Sequence, residues 1–305
     1  MKVYKLNPVT KDAIWGGNRL FALGKTIDGN RIAESWELSF VPGSEATVDG
    51  GKPLSEAFKK EEWGEACRDF ERFPVLTKLI DAREKLSVQV HPSDEYALAH
   101  EGSYGKTEMW YVVDCDKGAG IYVGFRERFT KERIAAAIAD GSLEELLSFV
   151  PCRPGDVFFI PAGTVHAIGA GTLIFEIQQN STLTYRLYDY MRRDAEGNLR
   201  PLHVDKAMQV LDPGVYQPQI LPADNPAIIG YSRCFVAEKH EINGDITLNV
   251  GRDSYLCVTC VAGSGYVGGE EARTGDSFFA PAGDAKLTLS GKMTVISVKT
   301  PTPCE

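Results

Sequence analysis

Apolar and polar residues alternate with period two along most of this chain. Ser87-Val88-Gln89-Val90-His91-Pro92 shows the pattern in its simplest form. It predicts a β-strand with Ser87, Gln89 and His91 on one face and Val88 and Val90 on the other. Pro92 ends the pairing. Glu34-Ser35-Trp36-Glu37-Leu38-Ser39-Phe40 alternates likewise and places Trp36, Leu38 and Phe40 on one core-facing side. Residues 73–80, 106–113 and 121–125 are rich in β-branched and aromatic residues and read as further strands. A turn at 81–84 leads into the strand that ends at His91. Helical signals are fewer. Residues 55–70 predict one surface helix or two short ones. Residues 93–100 predict a short helix with Ser93 or Asp94 as N-cap. Thr130 caps a helix that Gly141 stops, and Ser142-Leu143-Glu144-Glu145 has capping-box spacing for another, reaching to about Phe149. From Val157 onward the pattern returns to strands.

An internal repeat organises the chain. Gly155-Asp156-Val157-Phe158-Phe159-Ile160-Pro161-Ala162-Gly163 recurs as Gly275-Asp276-Ser277-Phe278-Phe279-Ala280-Pro281-Ala282-Gly283. Upstream, residues 109–113 are echoed by 255–259. The chain therefore reads as mainly β, in two related modules, residues 1–215 and 216–305, the first carrying short helical insertions. The second has Lys286 where the first has His166, and Ser254 about where the first has Glu108. It is expected to be a barrel or jelly roll that lacks a metal site. Gly263-x-Gly265-x-x-Gly268 matches a dinucleotide-binding spacing, but no helix follows, so it reads as a turn.

Composition narrows the function classes. With 305 residues, 43% of them hydrophobic and 25% charged, the chain is an ordinary globular sequence. A net charge of -9 argues against general nucleic-acid or anionic-membrane binding, but not against a small anionic substrate. No apolar run approaches the ~20 residues of a membrane span, and residues 1–8 lack the apolar core of a signal peptide. The expected location is the cytoplasm. The seven cysteines are an odd, scattered set and read as reduced thiols. Cys257 and Cys260, an odd distance apart on a strand, are expected on opposite faces, which discounts a redox or zinc role.

The candidate chemistry lies in the first module. Gly-x5-Pro-x-Gly-x2-His, ending at His166, resembles the second motif of the cupin superfamily of small β-barrels, and Gln89-x-His91 stands where the first cupin motif has His-x-His. The sequence departs from that pattern because Glu108 follows His91 by 17 residues. Two imidazoles, a carboxylate and an amide oxygen suit Zn²⁺, whereas two histidines and a carboxylate alone also suit Fe²⁺. Gln89 as a fourth ligand favours zinc. His100, His203 and His240 read as structural.

At these residues the chain resembles the class I mannose-6-phosphate isomerases of the short bacterial type. The matching stretches are 86–92, Gly105-Lys106-Thr107-Glu108-Met109-Trp110-Tyr111, 161–167 and 178–190, with Trp15-Gly16-Gly17 and 34–37 in support. The resemblance runs to about residue 210 and more loosely beyond. It implies one zinc per chain, bound by Gln89, His91, Glu108 and His166, and places Arg186 and Lys106 at the active site. It also implies a sugar phosphate substrate, interconverted between aldose and ketose forms through a cis-enediol. The family's tyrosine two residues after the last histidine is Ile168 here. Glu176, on an apolar strand, is a carboxylate that is costly to bury unless used or paired. Burial is expected to raise its pKa and suit it to proton transfer, the alternative being a structural ion pair. Arg186, Ser87 and Lys206 are the expected phosphate-binding residues. Two other readings stand against the isomerase: a cupin Fe²⁺ oxygenase and a non-catalytic sugar-binding cupin.

Overall fold

The computed structural model describes residues 2–193 and 197–302. Cys304 lies outside the described residues. Two sheets enclose a cup, and a third packs on the back of one of them. The first sheet has strands in the order Leu147–Pro151, Gly120–Phe125, His166–Ile168, Val88–Val90 and Tyr185–Tyr188. The second runs Val157–Ile160, Glu108–Cys115, Thr172–Gln179, Val75–Ala82, Glu34–Leu38 and Val9–Lys11. Every named pairing in both is antiparallel.

Burial follows from this layering. Val75–Ala82 and Thr172–Gln179 are buried at every position, because their sheet is covered on both faces. Its inner face presents Ile80, Trp110, Val112 and Ile174 to the cup. Its outer face presents Leu79, Met109, Phe175 and Ile177 to Cys257, Phe279, Ile296 and Val298 of the third sheet. Val88 and Val90 turn outward to pack under the helix Lys131–Asp140 and its neighbours. Gln89 and His91 are thereby left facing in.

The third sheet is one seven-stranded antiparallel sheet built on two 15-residue strands, Val236–Val250 and Ala285–Lys299. Tyr4–Lys5 pairs with Ser277–Ala280 at its edge, so the two ends of the chain share a sheet. The repeat is real in three dimensions. In the first module Gly155 N–H donates to Val112 O at 2.8 Å and Val112 N–H to Asp156 O at 2.9 Å. In the second, Gly275 N–H donates to Cys260 O at 2.8 Å and Cys260 N–H to Asp276 O at 2.9 Å. Gly155 and Gly275 have φ of 96° and 95°, which only glycine adopts without strain. This register corrects the alignment made from sequence. Glu108 pairs with Ile160 as Leu256 pairs with Ala280, so Leu256, and not Ser254, occupies the Glu108 position. Met109 corresponds to Cys257. Gly263 and Gly265 lie within the strand Leu256–Val267, and Gly268 turns it, as the absence of a following helix implied.

The caps at Ser93, Thr130 and Gly141 are where the sequence put them. Elsewhere the structure differs. Residues 55–70 form only a single turn, Leu54–Ala57, and two 3-10 turns, because Phe58 and Cys67, which one helix would put on opposite faces, are both drawn into the core. Ser142 makes no capping bond, as its hydroxyl donates to Asp140 instead. After one 3-10 turn the chain becomes an edge strand through Phe149, not a helix. A helix at Val204–Val210 falls where only strands were expected. A bulge between Trp36 and Leu38 puts these two on opposite faces. Trp36 then lies over Lys78 in the cup, while Leu38 joins the core behind it. The turn expected at residues 81–84 starts later, after Ala82.

Candidate metal and sugar-phosphate site

Three side chains converge at the bottom of the cup. His91 Nε2 is 3.6 Å from Glu108 Oε2, and His166 Nε2 is 3.3 Å from Glu108 Oε1. Their ligating atoms all lie within 4.8 Å of one another, and His91, Glu108 and His166 are buried. Each comes from a different strand or strand end. Gly105 makes this possible: a Cβ there would lie 2.4 Å from Ser93 C and 2.5 Å from Asp94 N. This close approach lets Lys106 N–H donate to Pro92 O at 3.0 Å, which ties the Glu108 strand to the residue after His91. Gly163, at φ 89°, turns the chain into His166.

The histidines are set up as ligands. His91 Nδ1 is 2.8 Å from Leu183 O, and His166 Nδ1 is 2.8 Å from Thr164 O. A carbonyl only accepts, so Nδ1 carries the proton and Nε2 turns its lone pair to the cluster. Burial lowers both imidazoles, His91 well below the usual histidine range and His166 to about 3, so both are neutral. His166 Nε2 and Glu108 Oε1 are buried without a hydrogen-bond partner, while Glu108 Oε2 meets the Lys106 ammonium. Buried orphans of this kind are costly, and a cation bound between the imidazole and the carboxylate would satisfy both. Gln89 lies directly opposite His166 in the ladder and therefore on the same face. His91, His166, Glu108 and Gln89 together fit a divalent cation.

A row of alternating charges crosses the inner face of the second sheet. Lys78 Nζ lies 3.3 Å from Glu34 Oε2 and 3.4 Å from Glu176 Oε1. Lys106 Nζ lies 3.8 Å from Glu176 Oε1, 3.2 Å from His91 Nε2 and in close contact with Glu108 Oε2. Trp110 Nε1 donates to Glu176 Oε2 at 2.9 Å. Burial alone would raise the Glu176 carboxyl, but Lys106, Lys78 and the Trp110 N–H hold it at about 2. This reverses the rise expected from sequence. It is Glu108 that moves up, to about 8, through burial and the charge of Glu176. Lys78 was missed from sequence. Its signal is a lysine opposite Glu176 on a strand buried at every position.

Arg186 and Glu176 belong to different sheets. Residues 180–184 cross to the first sheet, where Arg186 pairs with Gln89. Its Nε donates to Ser87 Oγ at 3.3 Å and its Nη1 to Pro201 O at 2.9 Å. Lys206 pairs with Glu101 at 2.6 Å and is half exposed. His100 stacks on Tyr96, His203 accepts the Arg186 N–H, and His240 bonds Ser297. None joins the cluster. Lys286 is exposed and no metal-ligand group is found in the third sheet among the described residues. Cys257 and Cys260 do face opposite cores. No helix among the described residues is long and apolar enough to cross a membrane.

Comparison with known proteins agrees with this geometry. The family profile described as phosphomannose isomerase type I, catalytic domain, matches residues 3–118, and that described as mannose-6-phosphate isomerase, cupin domain, matches residues 231–300. A mannose-6-phosphate isomerase of Bacillus subtilis is 40% identical over 300 residues, covering 93% of this chain and 94% of that protein. One from Streptococcus mutans is 38% identical over 300 residues with the same coverage. The crystal structure of the mannose 6-phosphate isomerase from Bacillus subtilis superposes with a TM-score of 0.88 at 34% identity, over 98% of this chain and 99% of that one. With its cupin-type sheets and its His-Glu-His cluster, the chain belongs to the type I mannose-6-phosphate isomerase family.

Proposed function

We propose that the chain interconverts mannose 6-phosphate and fructose 6-phosphate, with zinc held by Gln89, His91, Glu108 and His166. The observation that carries the reading is the cluster of orphaned, buried ligand atoms on His166 and Glu108. When bound, the metal supplies a Lewis acid for the negative charge that develops on the carbonyl oxygen as the enediol forms. The chain's own residues do the rest. The Lys106 ammonium, beside His91 and Glu108, adds a positive charge at that oxygen's side of the cup. Lys106 and Glu176 are the ionisable, non-ligand groups beside the cluster, and Glu176, the ionised carboxylate, accepts the proton that moves between C1 and C2 while Lys106 stays its counter-ion. Lys78 and Trp110 fix Glu176 in place. Arg186 and Ser87, joined to each other, face the phosphate end, with Lys206 further out.

On this reading the chemistry is confined to residues 1–215, and residues 216–305 form a cupin module without ligands, braced against the back of the catalytic sheet. The place of action is the cytoplasm. An iron oxygenase or a non-catalytic sugar-binding role is not favoured, since the curated relatives are named as isomerases and the ligand set is intact. A coupled assay with purified, zinc-supplemented protein tests the proposal. Turnover of both sugar phosphates is expected, and turnover of neither would overturn it.

A further inference from the structure

The strand that carries Arg186 runs on into a cluster of arginines that the reaction as described leaves unused. Asp189, buried, accepts from Arg200 Nε at 2.7 Å, Arg200 Nη2 at 2.5 Å and Arg192 Nη2 at 2.5 Å. Tyr190 and Met191, at φ 56° and 54°, are consecutive left-handed residues that are not glycine. Such backbone is unfavourable unless something holds it. The turn they make brings Arg192 back, so that its N–H donates to Asp189 O at 3.1 Å and its Nη1 to Lys85 O at 2.5 Å. Arg192 is thus spent on structure.

Arg186 and Arg200 are not. Arg186 uses Nε and Nη1 on Ser87 and Pro201, and its Nη2 has no partner among the described residues. Arg200 uses Nε and Nη2 on Asp189, and its Nη1 has no partner among the described residues. Among the described residues, Arg192 and Arg200 pair with the one carboxylate of Asp189 and Arg186 feels it from further off, which leaves a surplus of two positive charges there. The other ionic groups packed around them are already neutral: Lys85 is paired with Glu144, Lys206 with Glu101, and His203 accepts a hydrogen bond at Nδ1. A surplus of two charges in a protein of net charge -9 fits a phosphoryl dianion. The distance fits as well. Ser87, which anchors Arg186, lies two residues from Gln89 on the same face, about 7 Å along the strand, a span that a six-carbon sugar covers between its carbonyl and its phosphate.

We propose that Arg200 is a phosphate-binding residue. Its open Nη1 edge and the open Nη2 edge of Arg186 hold the substrate phosphate from two sides, and Asp189 orients the Arg200 fork. This rests on the sugar-phosphate reading of the site, and its test is arranged so that the two fail separately. In the metal-loaded full chain, Arg200→Gln should raise both the inhibition constant of inorganic phosphate and the KM for mannose 6-phosphate about tenfold. The loss should fall on KM, not on kcat, as for uniform binding, and metal content should not change. Arg200→Lys should weaken phosphate less than Arg200→Gln, since it keeps the charge and loses the fork. A lower melting temperature with phosphate inhibition and KM both unmoved would make Arg200 a structural clasp and overturn the proposal. If the variants fail to fold, the wild-type protein still decides. Inorganic phosphate should protect Arg200 from an arginine-specific dicarbonyl reagent, read by peptide mass, and equal modification with and without phosphate would overturn the assignment. Phosphate protection without any isomerase turnover would leave the Arg200 site standing and remove the isomerase reading.

Discussion

Glu176→Gln is the perturbation that the charge row makes most informative. Glutamine keeps the shape and can still accept from Trp110 N–H, so the change removes a charge and little else. The charge lies 3.4 Å from Lys78 and 3.8 Å from Lys106. At an effective dielectric constant of about 20, those contacts are worth ~5 and ~4 kcal/mol before any desolvation cost. Burial takes back much of this. The carboxyl nonetheless falls below its ordinary range, to about 2, so the pairing outweighs the burial. Breaking a buried pair from one side costs about 3–5 kcal/mol. Because Lys78 keeps Glu34 and Lys106 keeps Glu108, the lower figure is expected. Urea melts of the metal-free protein measure it directly. The pH dependence has a definite sign. A carboxyl whose folded-state pKa is depressed stabilises fully above its ordinary value, and that stability is lost as pH falls toward the folded value. The gap between wild type and variant should therefore be largest near pH 5, shrink progressively toward about 2, and narrow again toward about 8, because the Glu176 charge also holds Glu108 up and the variant releases it. A gap below about 1 kcal/mol near pH 5, the size of an exposed pair, or one that widens below pH 4.5, would show that the row does not hold Glu176 as argued.

Other changes separate the parts of the site. His91→Ala or His166→Ala should lose bound metal and turnover together while the fold survives; stoichiometric metal with full turnover in either variant would contradict the ligand assignment. Lys286→Ala should leave kcat/KM nearly unchanged, since that side chain is exposed and its module has no ligand group among the described residues, and a large loss in a folded variant would show a role for that module in catalysis. Arg186→Lys should keep the metal yet lose much of its kcat/KM, and Arg186→Ala should lose more, by a further contact of roughly 1.5–3 kcal/mol; equal proportional losses on phosphorylated and unphosphorylated sugars would remove phosphate as its partner.

The convergence of His91, Glu108 and His166 was legible in part because strand parity is a local rule. Ser87, Gln89 and His91 share a face by spacing alone, and a glycine-proline motif marks the turn before His166. The repeat was legible for the same reason, since Gly155-Asp156 and Gly275-Asp276 make the same turn from the same residues. What failed depended on partners far along the chain. Parity breaks at a bulge, so Trp36 could not be placed relative to Leu38 from spacing. Parity also says nothing about which sheet a strand joins, and Arg186 crossed from the sheet of Glu176 to the sheet of Gln89. The direction of the Glu176 shift was misjudged because burial was visible in the apolar strand, whereas Lys78 and Lys106, 98 and 70 residues earlier, were not visible as its neighbours. Residues 55–70 have helix-forming composition, but tertiary packing of Phe58 and Phe70 overrides it.

The central claim is a metal-dependent isomerase built on the His91–Glu108–His166 cluster. Metal content and isomerase turnover measured on the same sample, before chelation, after chelation and after zinc is restored, test it most directly. The account predicts one zinc per chain, loss of turnover between mannose 6-phosphate and fructose 6-phosphate when the metal is removed, and recovery in proportion to the zinc rebound. Full turnover in a chain stripped of metal would contradict it.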